Sequence, residues 1–288
     1  MYEQFGAFGA WLNPALGDRA RIDYAPELEE LGFSTIWLGI GAKSVGDLAL
    51  LEGVLAATRT ATVATAIINM WQDSAQSVAA QYHRLADRFG ARLLLGVGLG
   101  HPESTQPYRQ PYTHMVGYLD TLLSSGVPAE KIVVAALGTK TLDLAGTRTL
   151  GAHPYNTTPE HTRFARDVLG PTPLLAVEHK VVLTEDVEYA RSIGRPAIEN
   201  PYLRLRNYTS NLVRHGFTEQ DIAGSGSDRL IDALVLHGPP AQIFDQLAEH
   251  LTAGANHVGI QVLTDEHGAS PMTEYRALAQ CLPSRASR

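Results

Sequence analysis

The sequence predicts a single α/β domain over residues 1–288, folded as a closed parallel (β/α)8 barrel. Three observations carry that reading. Short apolar strands alternate with amphipathic helical segments from one end of the chain to the other. Roughly eight such units occupy 288 residues, close to the ~250 typical of such a barrel. Finally, no dinucleotide fingerprint supports the main alternative, an open doubly wound sheet. Strands joined by helices fit both architectures, because parallel strands need long crossovers in either.

Taken in order, FGAFGAW (5–11) reads as the first strand and DRARIDYAPELEELGF as a helix that stops at Gly32. STIWLGI is the second strand, DLALLEGVLAATR a helix, and TATVATAIINMW a β-branched third strand. SAQSVAAQYHRLADRFG is a helix closed by glycine, and RLLLGVGL is the fourth strand. The rhythm continues with KIVVAAL, TLDLAGTR, the short TLGAHPY, PEHTRFARDVLG and a seventh strand, LLAVEHKVVL. Residues 184–236 then hold helical pieces (EDVEYARSIG, YLRLRNYTSNLVRHG, SDRLIDALVL) without a convincing strand, and read as an insertion after strand seven. The helix PPAQIFDQLAEHLTAG, the last strand HVGIQVL and the helix MTEYRALAQCL complete the series.

Hydrophobic residues make up 44% and charged residues 18%, the composition of a folded protein, with disorder expected only around PSRASR. The net charge of -7 gives no footprint for nucleic acid. No apolar run reaches the ~20 residues of a membrane helix, and the first residues lack a leader pattern, so a cytoplasmic protein with no membrane partner is expected. A lone cysteine, Cys281, fits a reducing compartment. GVGLGH is no Rossmann loop, since His101 stands where the last glycine belongs, and GAKS (41–44) lacks the Walker spacing. Eleven histidines show no HExxH or close ligand set, so no metal is expected.

RLLLGVGLGHPE raises the most specific question. In a strand, Leu93, Leu95, Val97 and Leu99 share one face, and Gly96, Gly98 and Gly100 the other. Either the glycines clear the upper lumen, where barrel enzymes place their sites, or they admit a bulky neighbour or a bend. A second strand end, VVAALGTKT, places Gly138, Thr139, Lys140 and Thr141 at a helix start. Free N–H groups and the helix dipole there suit a phosphate, as well as a plain capped helix.

In series, TIWLG with DLALLEGVLAATRTATVATAIINMW, LLLGVGLGHPE, AALGTKTLDLA, GAHPYNTTPEHTRFARDVLG and GSDRLIDALVLHG resemble the bacterial luciferase-like monooxygenase superfamily, most closely its branch that uses the deazaflavin coenzyme F420. The resemblance covers nearly the whole chain. It implies a luciferase-like barrel with a flavin or deazaflavin at its C-terminal mouth and a non-proline cis peptide at Ala66–Ile67 behind the ring. By the same match, Gly39, Ala66, Ile67, Asn69, Gly98, Leu99, Gly100 and His101 surround the ring. Gly138, Thr139, Lys140 and Thr141 hold the phosphate, and the glycine strand leaves room for ring and tail. One departure stands out: several deazaflavin-dependent relatives carry an acid and a histidine after the second strand, where this chain reads Gly39, Ile40 and Gly41.

What the resemblance implies is an F420-dependent oxidoreductase acting on a small organic substrate. The alternatives are an FMN-dependent monooxygenase and a silent barrel that only binds a flavin-like ligand or a partner. Barrels of this superfamily often form homodimers. His101 is the first candidate for proton exchange, an unperturbed imidazole titrating near pH 6.5. His153 and Tyr155 in GAHPY occupy another strand end and are the further catalytic candidates, placed either to line the pocket or simply to shape a turn. Glu178 and Lys180 share a strand face and are expected to form an internal ion pair or to reach the site. The YRQPYTHM loop and the helices around NYTSNL are expected to roof the pocket.

Overall fold

The computed structural model describes residues 2–40, 44–46, 48–103, 108–266 and 268–283. Gly41, and the PSRASR end beyond Pro283, lie outside the described residues. Ten strands are present among those described: β1 (Phe8–Leu12), β2 (Thr35–Gly39), β3 (Thr62–Ala66), β4 (Ile68–Asn69), β5 (Leu93–Gly98), β6 (Ile132–Val134), β7 (Gly151–Ala152), β8 (Leu174–Val182), β9 (Val235–His237) and β10 (His257–Val262). The α-helices are α1 (Asp18–Glu30), α2 (Ala49–Ala57), α3 (Ala75–Phe89), α4 (Pro111–Ser124), α5 (Thr139–Arg148), α6 (Pro159–Leu169), α7 (Val187–Glu199), α8 (Arg206–Arg214), α9 (Glu219–Ile222), α10 (Asp228–Leu234), α11 (Pro240–Thr252) and α12 (Met272–Ala279).

The strands pair in parallel throughout. The order β1-β2-β3-β5-β6-β7-β8 is closed by β10, which pairs with both β8 and β1, so eight strands form a complete barrel as the sequence predicts. The third barrel strand comes in two pieces. β3 pairs with β2 and with the start of β5, and β4 resumes against Val97 and Gly98 after a cis Ala66–Ile67 bond.

Two readings change. YRQPYTHM is a loop only as far as Gln110: α4 begins at Pro111, where proline's missing N–H is harmless, and buries Met115, Tyr118, Leu119 and Leu122. SDRLIDALVL is not helical throughout either, since α10 ends at Leu234 and β9 pairs with Lys180–Val182 beyond the end of β7. The insertion has a core of its own, with Ile198, Leu212, Phe217 and Ile231 among its buried residues.

Strand alternation sorts the remaining core into two layers. Outward residues such as Ile36, Leu38, Leu95, Val97, Val177 and Ile260 pack beneath the helices. Inward residues form a second cluster around Trp11, Trp37, Ala64, Leu94, Val133 and Leu174. The lumen is therefore a packed core, and large rings opposite glycines fill it. A Cβ on Gly9 would lie 2.7 Å from the His257 ring, and one on Gly259 would lie 3.1 Å from Trp37. The Trp37 indole donates to His257 Nε2 (2.9 Å), whose Nδ1–H donates to the Gly6 carbonyl (2.8 Å).

Candidate functional site

The glycine strand obeys its predicted parity, with Leu95 and Val97 under the helices and Gly96 and Gly98 facing inward. What occupies the vacated positions is protein. A Cβ on Gly96 would stand 2.0 Å from the Thr65 carbonyl oxygen, and one on Gly98 would meet Ala135 at 2.9 Å and Ile67 at 3.0 Å. These two glycines let the backbone of β3 and the side chain after it approach β5. The expectation that they leave volume for a ring is corrected accordingly.

Gly39 and Asn69 are likewise taken up by the fold. The Trp11 indole fills the space beside Gly39, 2.5 Å from where a Cβ would stand, and the Gly39 carbonyl accepts from buried Arg21 (2.6 Å). Asn69 is buried, and its Oδ1 accepts the Trp71 N–H (2.9 Å) to shape the turn after β4. The surface left at this side of the mouth consists of Ala66, Ile67, Leu99, Gly100 and His101, all half-buried. His101 hydrogen-bonds the Asn207 side chain and lies 5.4 Å from the Tyr208 ring, so α8 of the insertion covers it; burial lowers its pKa.

Around the mouth, α5 starts at Gly138 with no side-chain cap on its first N–H groups. A Cβ at Gly138 would meet nothing within 4 Å, and Thr139 and Lys140 are exposed. The Thr141 hydroxyl is turned inward to donate to the Gly138 carbonyl (2.9 Å). An open glycine before uncapped N–H groups is a geometry that accepts an anionic oxygen.

His153 sits deeper than its sequence role requires. Its ring stacks on Trp37 at 4.0 Å with 4° between planes, and its Nδ1–H donates to the Ala176 carbonyl (2.8 Å). Burial lowers its pKa to about 4. A neutral, stacked and 2% exposed imidazole has the geometry of a lumen packing residue.

Tyr155 stands at the centre of the mouth. Its hydroxyl donates to Gln261 Oε1 (3.0 Å) and accepts from Tyr202 (3.3 Å), and its ring lies against Trp11 and Tyr202, each at 5.4 Å. Beneath it, Lys180 Nζ lies 3.9 Å from the ring centroid and pairs with Glu178 Oε1 at 3.0 Å. Glu178 Oε2 also accepts the Asn156 N–H (3.1 Å), and Asn156 Oδ1 accepts from Lys180. Asn156 holds a left-handed backbone (φ 55°), which asparagine tolerates better than most residues. Burial pushes the pKa of Glu178 up and that of Lys180 down, and their mutual attraction opposes both shifts.

The internal ion pair is therefore formed, and it also reaches a cavity. A space of about 530 Å³ opens between the ends of β1, β8 and β10 and helix α7. Lys180, Tyr155, Tyr202, Gln261 and Trp11 line its polar end. Trp11 is a functional candidate of this wall that sequence reasoning did not single out, whereas Lys180 was expected either to pair with Glu178 or to reach the site. The alternation that puts Lys180 on Glu178's face was visible, whereas the tryptophan needed the barrel closed. Among the described residues no group of three or more His, Cys, Asp or Glu side chains is placed to hold a metal, and no helix is long and apolar enough to cross a membrane.

No family model and no curated protein matches the chain. Solved structures do share its fold. An F420-dependent secondary alcohol dehydrogenase in complex with an F420-acetone adduct superposes with a TM-score of 0.73 at 12% identity, covering 98% of this chain and 99% of that one. The coenzyme F420 dependent tetrahydromethanopterin reductase from Methanopyrus kandleri gives 0.73 at 15% identity over 96% and 97% of the two chains. The oxygenating constituent of 3,6-diketocamphane monooxygenase from Pseudomonas putida, in complex with FMN, gives 0.70 at 14% over 98% of each. At these identities the likeness establishes the fold, a (β/α)8 barrel, and agrees with the resemblance drawn from the sequence.

Proposed function

We propose that this protein is an F420-dependent oxidoreductase that moves a hydride between the deazaflavin and a small organic substrate. The observation that carries the reading is the pairing, on one barrel rim, of a half-buried apolar edge (Ala66, Ile67, Leu99, Gly100) with an open, uncapped helix start at Gly138. The first suits a planar ring, the second its anionic tail. The fold is shared with proteins whose names specify F420 or FMN, which supports a cofactor of the flavin type.

When bound, the deazaflavin supplies a hydride acceptor or donor that activates oxygen poorly compared with FMN. The chain's share is to orient and to exclude water. Ala66 and Ile67 would back the ring, Thr139 and Lys140 would receive the phosphate, and α8 would close over His101. Because the second strand offers glycine in place of an acid or histidine, polar groups toward the substrate come from Tyr155 and Lys180. The test is a pair of dissociation constants for purified protein with F420 and with FMN. Tighter F420 binding supports the proposal. Tighter FMN binding, with oxygen uptake on supplied reduced FMN, would replace it by the monooxygenase reading.

A further inference from the structure

The cavity beside Lys180 has a chemistry that selects its occupant. Lys180 and Glu178 are 1% and 0% exposed and cancel one another's charge, so the polar end is a neutral pair rather than a free cation. Two of the three ammonium N–H groups have strong acceptors in Glu178 and Asn156, and the Tyr155 ring face occupies the third direction. A ring face is the weakest of these partners and gives way to an oxygen. In the same wall the Trp11 indole N–H, 5% exposed as a residue, is buried without a hydrogen-bond partner among the described residues. The wall toward α7 and the loop after β10 is apolar at Ile193, Pro196, Ala197, Val262, Leu263 and Pro271, and the rim carries Asp265 and Glu266.

We propose that this cavity binds a small neutral organic molecule whose carbonyl or hydroxyl oxygen accepts a hydrogen bond from Lys180, with its apolar body against α7. The inference rests on the oxidoreductase reading and names the substrate class for it. A carboxylate or phosphate would bring an uncompensated charge to a pair that is already neutral, past two acidic rim residues. An ammonium would likewise add an uncompensated charge to the neutral pair, and it offers no acceptor to the Lys180 N–H. An oxygen acceptor without charge gains the donors and avoids both penalties.

The test uses cofactor-free, full-length protein and three probes of one shape read by fluorine NMR: 4-fluoroacetophenone, 1-(4-fluorophenyl)ethanol and 4-fluorobenzoate. The ketone and alcohol should bind, with the benzoate weaker by about tenfold or more. Ala197→Phe, which fills the apolar end without touching the ion pair, should abolish binding of all three. The charge-neutral double variant Glu178→Gln/Lys180→Met should fold and lose about tenfold or more in ketone affinity. Benzoate binding equal to or tighter than ketone binding, no ketone binding at millimolar concentration, or full binding by Ala197→Phe would each overturn the proposal. The F420 and FMN dissociation constants are measured without these probes, so either reading can fail alone.

Discussion

Replacing Lys180 by methionine tests whether the ion pair under the mouth is as dry as its geometry indicates. In the native chain Glu178 is 0% exposed and has two partners, Lys180 Nζ at 3.0 Å and the Asn156 N–H at 3.1 Å. Lys180→Met leaves the carboxylate with the amide alone, and stranding a buried charge in this way costs about 3–5 kcal/mol, a large share of a typical folding free energy. Glu178→Gln/Lys180→Met removes both charges and should return to within about 1–2 kcal/mol of the native protein, a coupling of about 2 kcal/mol or more. The effect has a pH signature. Burial already raises the Glu178 pKa, and losing Lys180 raises it further. A carboxyl whose folded pKa lies above its unfolded value stabilises fully below the unfolded pKa and loses that contribution as pH rises through the folded one. The single variant should therefore lie closest to the native protein near pH 4.5 and fall away toward pH 7.5, by up to about 1.4 kcal/mol for each unit of raised pKa. Urea unfolding at three pH values, read by tryptophan fluorescence, measures this directly. A loss below about 1 kcal/mol that does not vary with pH would show the pair to be hydrated, and with it the selectivity argued for the cavity would fall.

Two glycines should behave oppositely. Gly96→Ala places a Cβ 2.0 Å from a backbone oxygen and should cost about 3 kcal/mol or more, whereas Gly138→Ala, with φ -102° and no atom within 4 Å, should change stability by less than about 1 kcal/mol. Thermal unfolding distinguishes them, and similar midpoints would contradict the close approach of β3 to β5. His153 and His257, each lowered to about 4 by burial, should show no ring-proton titration by NMR between pH 5.5 and 8. A histidine with a depressed folded pKa contributes stability that is complete above its unfolded value near 6.5 and is lost as pH falls from there toward 4. A His153 midpoint near 6.5 would show that ring to be solvated and return it to the catalytic candidates.

Much of the architecture was legible because a parallel barrel repeats one pattern. Alternation marked the strands, glycines ended the helices at Gly32 and Gly90, and parity put Leu95 and Gly96 on opposite faces. Helix α4 was missed although Met115, Tyr118, Leu119 and Leu122 keep helical spacing, because the polar YRQPYTHM stretch reads as a loop. The occupants of the glycine positions were not legible at all. Gly9 yields to His257, Gly39 to Trp11 and Gly96 to Thr65, each pair set by which strands become neighbours and at what register. A missing side chain records that something comes close, and the same gap in the sequence serves a ligand and a tryptophan equally.

The glycine at the end of the second strand then acquires a physical consequence. With no side chain on Gly39, the Trp11 indole turns across β2 and closes that part of the rim, while its edge joins Tyr155 in the wall of the cavity. The polar end of the cavity stands instead on β8 and β10, where Lys180 and Gln261 lie on adjoining strands in the same register. Lys180 can stay there only because Glu178 and Asn156 neutralise and hold it, and those partners in turn reduce its appetite for anions. The Trp11 ring thus links the glycine end of β2 to the balanced lysine on β8, lying beside Gly39 on one side and against Tyr155, whose ring covers Lys180, on the other. Under the substrate proposal above, a barrel built this way takes an uncharged molecule whose oxygen points toward β8.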